Sequence, residues 1–152
     1  MEKSIRFDLD LYMREVMDLK EVNIETYSPL TLAYIGDSVY DLIIKTMVVN
    51  EGNRQVKKLH QVTSKMVQAS AQSEMMRVLQ EILTEEEHAV YKRGRNAKSV
   101  SPAKNQSLTD YRRATGFEAL IGWLYLKNNW ERIMELIKVG LEHLEKVQNE
   151  EK

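Results

Sequence analysis

Apolar residues recur along this chain at three- and four-residue intervals, and no useful stretch alternates as a half-buried strand would. Over 10–19 they are Leu11, Tyr12, Val16 and Leu19, one face of a helix. Ser28-Pro29 supplies a capping hydroxyl and then proline at the first helical position, so a helix begins there and runs to about Asn50. The polar run Asn50-Glu51-Gly52-Asn53 breaks it. A third helical region is predicted over about 54–82, where Val56, Leu59, Val62, Met66 and Ala69 form a stripe that Met75, Met76, Leu79 and Leu83 continue. Thr84 and Glu87 make a capping box that opens a short helix to about Arg93. Residues 94–107 read as a polar, basic loop, 108–128 as a long helix, and 130–147 as a last amphipathic helix followed by a frayed tail. With no repeat or linker, the expected fold is a single all-α helical bundle, one domain over 1–152.

Two segments depart from simple amphipathicity. In "LAYIGDSVY" (32–40) and "GFEALIGWLYL" (116–126) apolar residues cover nearly the whole helix circumference, and a helix apolar all round is expected to be buried. Asp37 sits inside the first and Glu118 inside the second. A buried carboxylate must be neutral, paired or bound to a cation. Gly36, Gly116 and Gly122 lie beside the two acids and allow close helix approach, so the pair reads as one shared site. A hard cation such as Mg²⁺ takes one or two protein carboxylates and keeps several waters, and it serves phosphoryl transfer by activating water and stabilising phosphate charge. Salt-bridged or solvated acids remain the plainer alternative on these residues alone. Asp41, one turn after Asp37, reads as a surface residue rather than a support for the metal.

Composition narrows the chemistry. The absence of cysteine excludes a disulfide scaffold, a Cys-ligated zinc site and a thiol nucleophile. His60, His88 and His143 are isolated in sequence, Ser38 has no nearby histidine base, and there is no G-x-x-x-x-G-K motif. The first residues carry charges throughout and no long window is free of charge, so neither a secretory signal nor a membrane span is expected, and the protein reads as cytoplasmic. The net charge of −1 says little, but its distribution is uneven. Residues 91–113 hold seven Lys or Arg against one acid, and 53–73 add Arg54, Lys57, Lys58 and Lys65 with no acid, whereas the first 41 residues hold nine acids and four bases. A basic surface on an otherwise neutral protein points to nucleic acid.

With these residues in view, the sequence resembles a known family. "LAYIGDSVYD" is similar to the signature helix of ribonuclease III, and "GFEALIGWLYL" is similar to that family's second acidic helix. Together with "LHQVTSKMVQASAQ", "EEEHAVYKRGRNAK" and "YRRATGFEALIGWLYL", in that order, they resemble the short Mini-III branch, a ribonuclease III catalytic domain with no appended double-stranded-RNA-binding domain. The likeness covers roughly 28–128. It implies an all-helical homodimer that cleaves double-stranded RNA with Mg²⁺, with Asp37 and Glu118 as catalytic, metal-binding acids. It also implies precursor 23S ribosomal RNA as substrate, with possible ribosomal-protein assistance. The match is not complete. Leu30, Ala33 and Thr115 stand where longer members carry further acids, so Mg²⁺ would be completed by water and the scissile phosphate. Grip on the duplex is expected from Arg93, Arg95, Asn96, Lys98 and Lys104, with Lys65 and Arg112 nearby. Readings of a different class are an inactive RNA-binding module of the same fold and a helical dimerisation module.

Overall fold

The structure is a computed structural model that describes residues 9–98 and 107–151. The described residues form seven α-helices and one short 3-10 turn at Ile24–Thr26, with no strand. The helices are α1 (Leu9–Val16), α2 (Pro29–Asn50), α3 (Val56–Val67), α4 (Ala69–Leu79), α5 (Glu85–Arg95), α6 (Leu108–Leu126) and α7 (Trp130–Glu150). The all-α expectation holds.

Helix starts follow local chemistry. The Ser28 hydroxyl accepts from the Thr31 N–H at 3.2 Å, ahead of Pro29. Thr84 and Glu87 exchange both bonds of the capping box, at 2.9 and 3.1 Å. Ser107 and Asn129 accept from the Asp110 and Arg132 N–H groups and open α6 and α7. Between those two helices Asn128 adopts φ 58°, a left-handed conformation asparagine tolerates, and the chain reverses there.

Helix α6 is the axis of the bundle. From Ala114 to Leu124 every residue except Glu118 is buried, and the helix packs against α2, α5, α4 and α7. One charged pair fastens the periphery. Arg132 of α7 donates to both carboxylate oxygens of Glu87 at 2.8 Å and to the Ile82 carbonyl at 2.7 Å. Burial pushes the Glu87 carboxyl up, but the bonds from Arg132 and the Thr84 N–H outweigh it and hold the group below its ordinary value.

The structure corrects several expected boundaries. The region read as one helix over 54–82 is two helices, broken at Gln68, whose φ −64° and ψ 155° are extended. No glycine or proline marks the break. Its exposed carbonyls find side-chain donors instead: Tyr40 Oη bonds the Met66 carbonyl at 2.7 Å and Gln72 Nε2 bonds the Val67 carbonyl at 2.8 Å. Helix α3 buries only Thr63, and Val56, expected in the core stripe, is 66% exposed. Helix α5 runs two residues further than expected, to Arg95, and α7 continues to Glu150 where a frayed tail was expected.

Candidate active site

Helices α2 and α6 cross with their backbones in contact. A Cβ on Gly36 would overlap the Glu118 carbonyl oxygen and lie 2.7 Å from the Gly122 nitrogen. One on Gly122 would overlap the Leu32 carbonyl and lie 3.0 Å from the Gly36 nitrogen. Only hydrogen fits at either position. The crossing therefore falls between the residue before Asp37 and the backbone of Glu118 itself, and it sets the two carboxyl groups face to face.

The electrostatics follow from that placement. Burial pushes the Glu118 carboxyl up, the adjacent Asp37 carboxyl raises it further by contact and charge, and the Gln72 amide acts the other way; the balance leaves it near 8. Metal-free, the site therefore holds a proton at neutral pH.

The expectation that both acids are buried is half right. Glu118 is half-buried, but Asp37 is exposed. Helix α2 buries one face only, made of Leu32, Ala33, Gly36, Val39, Tyr40, Ile44 and Val48. Its free face carries Asp37 and Ser38 alongside apolar Tyr34 and Leu42, 81% and 61% exposed. Those exposed apolar side chains made the segment look buried all round. The site is an open rim: Glu118 rises from the core and Asp37 meets it from the solvent side.

Two carboxyl groups side by side, one with its pKa raised by the other, have the donor chemistry to fit a hard divalent cation, which would relieve the repulsion between them. Among the described residues no three His, Cys, Asp or Glu gather as a metal cluster. Asp41 instead pairs with Lys45 at 2.9 Å, as a surface residue should. Gly116 does not serve the crossing of α2 and α6. It faces Tyr91, and with Gly94 it lets α5 lie close against α6. Of the histidines, His143 has a partner that sequence did not suggest: its Nε2 lies 2.8 Å from Glu74 Oε2.

The expected RNA-facing residues are distributed over three elements. Arg93, Arg95, Asn96 and Lys98 form the basic end of α5 and the residues just after it. Arg93 donates to the Tyr27 carbonyl at 3.4 Å, and the Arg95 guanidinium stands over the Tyr91 ring at 5.7 Å. Because Gly94 packs on Gly116 and Ala119, this end of α5 meets α6 beside Glu118. Arg112 is exposed on α6, about 9 Å along the axis before Glu118. Lys65 is exposed on α3, a helix that packs on α2 and α4 rather than on α5. Lys104 lies outside the described residues. Sequence reasoning missed Gln72, which touches Glu118 from α4. The signal was a polar residue inside the apolar row Ala69, Gln72, Met76, Leu79.

Two facing acids on crossed helices of an all-helical fold are compatible with a hydrolase site, and comparison with known proteins supports that class. The Ribonuclease III domain family matches residues 30–129. A Mini-ribonuclease 3 of Clostridium tetani is 49% identical over 135 residues, 88% of this chain and 86% of that protein. A second, from a Thermoanaerobacter species, is 41% identical over 145 residues, 95% of this chain and 99% of that protein. A crystal structure of a Fusobacterium nucleatum protein superposes with a TM-score of 0.73 at 29% identity, covering 80% of this chain and 99% of that one. The chain belongs to the ribonuclease III family, in its Mini-ribonuclease 3 branch.

Proposed function

We propose that the chain is a Mg²⁺-dependent endoribonuclease that cuts both strands of double-stranded RNA, leaving 5′-phosphate and 3′-hydroxyl ends. It acts as a cytoplasmic homodimer on precursor 23S ribosomal RNA, a substrate that ribosomal proteins help to present. The observation that carries the reading is the face-to-face Asp37–Glu118 pair at the Gly36–Gly122 crossing. Family membership supports an RNA substrate. Among the described residues no helix is long and apolar enough to cross a membrane.

Asp37 and Glu118 hold the cation. Bound there, Mg²⁺ supplies Lewis-acid stabilisation of the phosphate and lowers the pKa of an attacking water. Asp37, on the solvent side, is the first carboxylate an incoming phosphate group meets. Arg93, Arg95, Asn96, Lys98 and Arg112 contact phosphates and 2′-hydroxyls beside the cut, and Lys104 and, away from that group, Lys65 are the further cations proposed to meet the duplex. The test incubates the protein with a long RNA duplex and with either single strand, in Mg²⁺ and in EDTA. Cleavage of the duplex alone, and only with Mg²⁺, is expected. Duplex binding without cleavage would make this a binding module, and cleavage in EDTA would remove the metal from the reading. A transcript of precursor 23S ribosomal RNA should be cut at discrete positions under the same conditions.

Two further outcomes are expected. The double variant Arg93→Ala/Arg95→Ala should bind duplex about tenfold more weakly at 0.1 M salt and reduce the slope of log affinity against log salt by about 2. An unchanged slope removes the end of α5 from the RNA surface. Tyr34 is a large aromatic, 81% exposed one turn before Asp37, and a symmetric partner placed on this face would cover it. Tyr34→Glu should then sediment as a monomer where the wild type sediments as a dimer. A dimer that persists in this variant places the interface elsewhere.

A further inference from the structure

We infer that Gln72 is a positioning residue for Glu118: one amide N–H is anchored on the backbone and the other aims the carboxylate at the cation. The inference rests on the metal-binding role proposed for Glu118. Gln72 is 2% exposed on α4, in a row otherwise made of Ala69, Met76 and Leu79. A buried primary amide among apolar neighbours is costly unless its polar atoms are used. Here one donor is bonded to the backbone, the amide lies beside the Glu118 carboxyl, and the acceptor is unused: Nε2 donates to the Val67 carbonyl at 2.8 Å, and Oε1 is buried with no partner.

The orientation of the amide is not arbitrary. A carbonyl oxygen only accepts, so Val67 requires the NH₂ end and turns Oε1 away. The Val67 carbonyl is available because α3 stops there and α4 begins at Ala69, with extended Gln68 between them. Its neighbour, the Met66 carbonyl, is held by Tyr40, three residues after Asp37 on α2. The break between α3 and α4 is thereby tied to the helix of one acid through Tyr40 and to the other acid through Gln72. An apolar side chain of similar length would fill the same space without stranding an oxygen. What the amide adds is a donor fixed in direction, which occupies lone pairs of one carboxylate edge and leaves the rest for a cation. Such supporting bonds typically change metal affinity 10–100-fold.

The test compares wild type, Gln72→Met, Gln72→Asn and Glu118→Gln. Methionine keeps length and fills the core without a donor. Asparagine keeps an amide but is one methylene too short to span Val67 and Glu118. Mn²⁺ binding to the RNA-free protein is measured by calorimetry, and the Mg²⁺ concentration that half-saturates duplex cleavage is measured beside it. Gln72→Met is expected to melt close to wild type, to bind Mn²⁺ about tenfold more weakly and to raise half-saturating Mg²⁺ by a similar factor. At saturating Mg²⁺ its KM for duplex stays within about twofold of wild type, which is the pattern of a metal effect rather than a folding or RNA effect. Gln72→Asn carries the same expectation and decides the matter should the methionine variant fail to fold. Wild-type Mn²⁺ affinity in a folded Gln72 variant, beside lost Mn²⁺ binding in Glu118→Gln, overturns the positioning role alone. Unchanged Mn²⁺ binding in Glu118→Gln overturns the proposed metal site and this inference with it.

Discussion

Glu118→Gln is expected to lower duplex cleavage by at least about a thousandfold, roughly 4 kcal/mol of transition-state stabilisation, and also to raise the melting temperature of the metal-free protein at pH 8. The first effect follows from removing one of the two carboxylates proposed to hold the cation. The second follows from the sign of the pKa shift. The folded value near 8 lies above the ordinary value of 4.5, so the folded chain keeps a proton that the unfolded chain releases. The stability this contributes is complete below about pH 4.5 and is lost as pH rises through about 8. Glutamine has no proton to lose, so the variant escapes that loss. The full shift would correspond to nearly 5 kcal/mol, but the rim is open to solvent on the Asp37 side, and screening leaves about 2 kcal/mol. That is roughly 4–8 °C for a chain of this size. Thermal melts in EDTA at pH 5 and pH 8 check it: the variant should melt close to wild type at the lower pH and clearly above it at the higher. Saturating Mg²⁺ should erase the difference, because only the wild type gains from binding the ion. An equal shift at both pH values would place the effect in packing rather than charge. Asp37→Asn is expected to lose cleavage to a similar extent, as it removes the second of two ligands.

How much of this was legible in the sequence depended on where each signal was written. The starts of α2 and α5 were, because Ser28-Pro29 and the Thr84–Glu87 box act on their own neighbours. So was the burial of α6, where ten of the eleven residues from Ala114 to Leu124 are buried, all but Glu118. The break at Gln68 was not. It uses no turn residue, and its carbonyls are satisfied by Tyr40 and Gln72, the first of them 26 residues away. A single stripe running through Met66, Ala69 and Met75 is compatible with one helix or two. The exposure of Asp37 was also hidden. Apolarity reports what a side chain would prefer, not what covers it, and Tyr34 and Leu42 are apolar on a face that none of the described residues covers. The pairing of Asp37 with Glu118 was legible because it is written twice, in the acids and in the glycines beside them. Yet Gly116, of the same composition and as close in sequence, serves α5 instead. Which glycine meets which helix is a property of the crossing, not of the residue.

That crossing sets the second large effect. Gly36→Ala is expected to destabilise the protein by about 4 kcal/mol, above the usual ~1–3 kcal/mol of overpacking because the contact has no room to relax. The added methyl would meet the Glu118 carbonyl and the Gly122 nitrogen, both backbone atoms of a helix buried around most of its circumference, so no side-chain rotamer can clear the space. Gly122→Ala meets the Leu32 carbonyl in the same way. Gly52→Ala provides the contrast. Gly52 has φ 136° and no atom within 4 Å of an added Cβ, so its cost is backbone strain alone, about 1–3 kcal/mol. Urea unfolding at one fixed protein concentration would rank the three, and a Gly36→Ala midpoint at or above that of Gly52→Ala would mean that the two helices can part without loss. The double variant Gly36→Ala/Gly122→Ala tests the geometry more sharply. Both methyls press on one contact, so once α2 and α6 have separated for the first, the second finds room already made. The pair should therefore cost less than the two single changes together. Any Gly36 or Gly122 variant that still folds should cleave poorly at saturating duplex, because the separation that admits a methyl at Gly36 is the separation between the backbones that carry Asp37 and Glu118.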